Sequence, residues 1–164
     1  MRLLLTLLAL FCLFSSRFSF ANEKITNEQT VIAVIVANEN TTNTISLPEL
    51  KLIYWRKKDY WANGKPLHPV NLPAENPLRM EFSKKILGSL PNTQNDYWNG
   101  LYFHGKSPPH VVNSEEAVIR FVAETNGAVG YIEACSLDAR VKPVAWITQS
   151  GELINRSPEY RCGQ

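Results

Sequence analysis

Apolar and polar positions follow two different periods along this chain, and each switch marks an element. "VIAVIVAN" (31–38) is a run of β-branched and apolar residues that stops at the polar "NENTTNT". A run so short and so uniformly apolar predicts a buried strand. "SLPELKLIYWRK" (46–57) changes to helical spacing, with Leu47, Leu50, Ile53 and Tyr54 directed inward. Ser46 and Glu49 stand in capping-box spacing, and Pro48 fits the first turn. "YWANGKPLHPVNL" (60–72) carries an Asn-Gly turn and then a brief strand at Leu67–Leu72, which Pro69 marks as short or at an edge. "NLPAENPLRMEF" (71–82) opens a helix that runs to about Leu87 and is closed by Gly88. Asn76 is its cap, Pro77 fits its first turn, and Leu78, Phe82 and Ile86 form its apolar stripe.

The pattern continues with a helix over 93–103, offering Tyr97, Trp98, Leu101 and Tyr102 for packing, and a loop over 104–112. "NSEEAVIRFVAET" (113–125) has capping residues, two acids in its first turn, and apolar Val118, Ile119, Phe121 and Val122. Strands follow at 127–134 and 141–148. Strand, helix, strand, helices, strand, strand is the order of a single α/β domain with one central sheet. No internal repeat, heptad or long linker interrupts it.

Residues 1–21 stand apart from that pattern. Arg2 precedes an apolar run of 12 residues from Leu3 to Phe14, and a polar stretch ends in Ser19-Phe20-Ala21. A membrane-spanning helix needs about 20 apolar residues. The run is too short for an anchor and fits an export signal cleaved after Ala21. Phe11, where a lipoprotein signal has a small residue, argues against lipidation at Cys12. The expected domain is residues 22–164, located in the periplasm with no membrane insertion after cleavage. It keeps 15 of the 17 Lys and Arg against all 15 Asp and Glu, so its net charge is about zero. That balance argues against a nucleic-acid or membrane-surface binder that works by bulk charge.

Cys135 and Cys162 are left in an oxidising compartment, and an even count there predicts one disulfide rather than a reactive thiol. No nucleophile elbow, phosphate-binding Gly loop or zinc motif occurs, and His68, His104 and His110 lack metal-ligand spacing. No catalytic residue, metal or cofactor is expected. Trp55, Trp98, Tyr131 and Trp146 read as core aromatics.

The ordered set "SLPELKLIYWRKKDYWANGKPLHPVNL", "PLRMEF", "YWNGLYFHGKSPP" and "EEAVIRFVAETNGAVGYIE" resembles the phosphate-binding-protein family of bacterial phosphate ABC transporters. The likeness covers about residues 31–147. It includes a "W-x-x-G-x-x-x-x-P-V" hairpin and Gly127-Ala128-Val129-Gly130-Tyr131 in place of a Gly-Ala-Ile-Gly-Tyr strand. It implies a type II periplasmic-binding-protein-like single lobe, a central mixed sheet flanked by helices. Full members of the family have two lobes that close on the ligand.

The resemblance implies binding of phosphate or another small oxyanion, and an ABC permease or another envelope protein as partner. The family's loop has Ser-Gly-Thr at the helix start and an Arg four residues earlier. Here Asn76, Pro77 and Leu78 stand at those positions, and Leu72 at that of the Arg. Pro77 removes one backbone donor, and Glu75 adds a negative charge. Arg79 is then the candidate cation, with Asn76 and Leu78 beside it and Lys106 and Ser107 of "HGKSPP" as second contributors. The competing reading is an exposed ion pair of Arg79 with Glu75 or Glu81. A different function class also stays open: a non-enzymatic interaction module that has lost its ligand and docks through an exposed Trp61 and the "GKSPPH" loop.

Overall fold

A computed structural model describes residues 30–163 of the chain; the expected export signal and cleavage after Ala21 lie outside them. Six strands form one sheet: β1 (Ile32–Ala37), β2 (His68–Asn71), β3 (His110–Val111), β4 (Ala128–Glu133), β5 (Val141–Ile147) and β6 (Leu153–Ile154). Their order is β3-β2-β4-β1-β5-β6. β2 runs parallel to β3 and β4, and β1 is antiparallel to β4 and β5, so the sheet is mixed. The helices are α1 (Leu47–Tyr54), α2 (Pro77–Phe82), α3 (Asn95–Tyr102) and α4 (Glu115–Glu124).

Every residue of β1 is buried. Its apolar run is continuous because the strand lies mid-sheet with both faces covered. Alternation along β4 sorts the two faces. Gly130 looks toward α4: a Cβ there would meet Val118 Cγ1 at 2.6 Å and Val122 Cγ2 at 3.0 Å. Tyr131 looks the other way, stacked on Phe82 of α2 with ring centroids 3.9 Å apart and tilted against Tyr54 of α1. The domain thus has helices on both faces of its sheet.

Local signals act as the sequence predicts. Ser46 Oγ accepts from the Glu49 amide at 3.3 Å. Gly64, at φ +80°, makes the Asn-Gly turn. α2 continues into a π-helical turn, Ser83–Leu87, that ends at Gly88 in the left-handed conformation, φ 71°. Cys135 and Cys162 form a disulfide, Cα atoms 5.5 Å apart, that ties the C-terminal tail to the end of β4. Two short strands escape the periodicity. β3 arises inside the expected loop and β6 in the tail, each two residues long, too few to show a period. α3 buries none of its residues. Trp98 is half-buried on Trp55, centroids 5.9 Å apart, so neither is a true core residue. Among the described residues no helix is long and apolar enough to cross a membrane.

Candidate functional site

β2 ends at Asn71, and the chain turns through "LPAEN" into α2. Asn76 holds an extended backbone, φ −66° and ψ 130°, and caps the helix. Its Oδ1 accepts from the Leu78 amide at 2.9 Å and the Arg79 amide at 3.3 Å. Pro77 has no N–H to offer. The first-turn amides are therefore already engaged, and Arg79 is the cationic side chain of this turn.

That side chain is not on the surface. Arg79 is 6% exposed, which corrects the expectation of an exposed guanidinium. The reason lies in the width of the buried face. Leu78, Phe82 and Ile86 define its centre, and Arg79 and Ser83 share its flank, one turn apart. Arg79 Nη1 donates to Asn71 Oδ1. The same oxygen accepts from the Tyr131 hydroxyl at 3.2 Å, and the Tyr131 oxygen accepts from the Leu72 amide at 3.5 Å. The Tyr54 hydroxyl is shared between the carbonyls of Val70, at 3.1 Å, and Val129, at 3.4 Å.

None of these partners is negative. Burial pushes both tyrosine hydroxyls above their ordinary range, and the Arg79 charge only partly opposes that shift. Both rings stay neutral at neutral pH. Glu81 pairs instead with Lys85, at 2.5 Å, and Glu75 is exposed. Among the described residues no carboxylate forms an ion pair with Arg79, so the proposed surface pair with Glu75 or Glu81 does not form. A guanidinium has five donors, and those engaged go to neutral groups, the Asn71 amide oxygen and the Tyr131 phenol. A cation removed from water with neutral neighbours is under-compensated, and an anion is the natural complement. The place is suited to one. β2 and β3 are parallel, and crevices beyond the carboxyl ends of parallel strands are where α/β sheets bind ligands.

Lys106 and Ser107 are not brought to this point. Lys106 Nζ donates to the Arg56 carbonyl and to Asp59 Oδ2, each at 3.0 Å. The Asp59 backbone carbonyl accepts from the Leu67 amide at 2.9 Å, just before β2, whereas Arg79 meets Asn71 at its end. Ser107 is exposed in the loop that precedes β3. Trp61 is 5% exposed, its Nε1 donating to the Gly127 carbonyl at 2.9 Å, so the expectation of an exposed docking tryptophan is corrected. The residues that sequence reasoning missed are Asn71, Ser83 and, as a polar partner, Tyr131. An asparagine at an inward strand position was the available signal, because such a residue is rarely buried without a task.

Strand order, the capped loop after β2 and the buried Arg79 can be set beside solved structures. No protein-family model matches the chain, and no curated protein matches it. The structural matches are to an ABC-type phosphate transport receptor from Vibrio cholerae, TM-score 0.59 at 19% identity, and to a Clostridium perfringens protein assigned as a phosphate ABC transporter substrate-binding protein and solved with bound phosphate, TM-score 0.60 at 19% identity. A possible phosphate-binding protein from Planctomyces limnophilus matches with TM-score 0.51 at 14% identity. The chain has the fold of phosphate ABC transporter substrate-binding proteins. The first two matches each cover 71% of this chain and 46% and 45% of theirs, so it spans about half the length of those proteins.

Proposed function

We propose that this chain is a non-enzymatic binding protein for a small tetrahedral oxyanion, phosphate foremost. It is exported to the periplasm and feeds or informs an ABC transporter. One observation carries the reading: a buried guanidinium, Arg79, lies beyond the carboxyl end of β2 with no carboxylate partner among the described residues. In this reading Arg79 supplies the charge and a two-donor fork that matches two oxygens of the anion. Asn71 aims the fork. Asn76 holds the first turn of α2 in place, and Leu78 seats that turn on the core. The phosphate-transport proteins that share the fold support the ligand class, as analogy from fold.

A second reading, a docking module without a ligand, is favoured by the end of α3, where Tyr102 is 69% and the following Phe103 86% exposed beside one another. Calorimetric titration of the exported protein with phosphate and with sulfate decides between them. Saturable heats for at least one anion support the first reading. No heat from either, up to millimolar anion, refutes it.

A further inference from the structure

The helix that carries Arg79 holds a second polar group whose presence its surroundings do not explain. Ser83 is 0% exposed, and its Oγ has no hydrogen-bond partner among the described residues. A serine inside a helix commonly returns its hydroxyl to the carbonyl four residues back. Here that carbonyl, of Arg79, already accepts from the Ser83 amide, and the hydroxyl does not join it. A buried hydroxyl without a partner is a standing cost to the fold. Alanine, a better helix former, fits the same space without that cost. Such a group asks for an occupant.

Its position says which one. Ser83 follows Arg79 by four residues, and the hydrogen bond from the Ser83 N–H to the Arg79 carbonyl shows that this turn is α-helical, so the two side chains share one buried face. Cα–Cβ bonds tilt toward a helix N-terminus, which carries the Ser83 hydroxyl back over the Arg79 turn. Ser83 also opens the π-helical turn Ser83–Leu87, a widening that recurs at functional sites. An arginine fork meets two oxygens of a tetrahedral anion and leaves the others unmet.

We infer that Ser83 is a further ligand-binding residue of this anion site, donating its hydroxyl to an oxygen of a tetrahedral oxyanion held by Arg79. The inference rests on the anion-binding reading above. Among the described residues no carboxylate lies with the groups gathered at Arg79, and a hydroxyl can donate or accept. The site therefore takes sulfate as well as hydrogen phosphate.

The test is Ser83→Ala in the exported protein, read by melting temperature without anion and by calorimetry with inorganic phosphate and sulfate. The ligand-free variant melts higher than wild type by roughly 2–4 °C, because an unsatisfied buried hydroxyl is gone. Phosphate and sulfate affinities both fall about tenfold or more, the loss of one hydrogen bond to a charged group. The two readouts move in opposite directions, which misfolding does not produce. If Ser83→Ala binds both anions as wild type does while Arg79→Met has lost them, the role given to Ser83 is wrong and the anion site stands. If wild-type protein binds neither anion, the site itself is wrong and Ser83 falls with it.

Discussion

Replacing Arg79 by methionine separates the two roles a buried guanidinium can play. Methionine keeps most of the stem that packs beside Leu78 and Phe82 and removes the charge with its fork. In the ligand-free protein Arg79 is 6% exposed and bonds to a neutral amide. Asn71 Oδ1 still accepts from Tyr131 at 3.2 Å when Arg79 is gone, so no buried acceptor is orphaned. Deleting a desolvated charge that lacks a counter-ion therefore leaves the ligand-free fold unchanged or raises its stability, by about 0–2 kcal/mol.

Binding goes the other way. Loss of the charge-assisted bonds costs about 1.5–3 kcal/mol, tenfold or more in Kd. The assay is thermal unfolding with and without anion. Wild type at an anion concentration of about 100 Kd gains about 2.7 kcal/mol, which in a domain of this size raises Tm by roughly 10 °C. At the same concentration a tenfold weaker variant gains about 1.4 kcal/mol, roughly half that rise. A drop of more than about 2 kcal/mol in ligand-free stability, with the anion-induced shift intact, would refute the reasoning. Arg79 would then be a clamp between α2 and the sheet.

Three further outcomes follow from the fold and the chain start. Gly130→Ala places a methyl 2.6 Å from Val118 Cγ1 and 3.0 Å from Val70 Cγ1, so α4 must lift from the sheet; denaturant unfolding should show a loss of about 1–3 kcal/mol, and an unchanged midpoint would contradict this packing. Opening the Cys135–Cys162 bond by double serine substitution releases a loop with sequence separation 27, worth about 3–4 kcal/mol on the chain-entropy account; equal urea midpoints for oxidised and substituted protein would speak against it. N-terminal sequencing of protein recovered from the periplasm should begin at Asn22, and a retained Leu3–Phe14 segment would overturn the export reading.

Much of this architecture was legible in the chain itself because its causes are local. Asn76, Pro77 and Gly88 mark where α2 begins and where its π-helical continuation stops through backbone chemistry that needs no distant partner. The apolar run 31–38 marks a strand covered on both faces, since it is short, rich in β-branched residues and uniformly apolar. Two cysteines read in an export context foretold their bond. The ordered pieces from Ser46 to Glu133 also carried the resemblance that the fold bears out.

What only the tertiary structure decided is the company each polar residue keeps. Arg79 reads as a surface side chain in sequence because glutamates flank it at 75 and 81. In the fold Glu81 turns to Lys85, and Arg79 turns beneath the helix to Asn71, eight positions earlier, whose oxygen also binds Tyr131, 60 positions from Asn71. Lys106 seemed a neighbour of the anion loop and lies at the opposite end of β2, because a parallel pairing sends the loop before β3 to the start of its partner strand. Strand pairing and helix phase set such meetings. Hydrophobic period is a property of one segment, whereas the partner of a buried charge is a property of two or three segments brought together by the sheet.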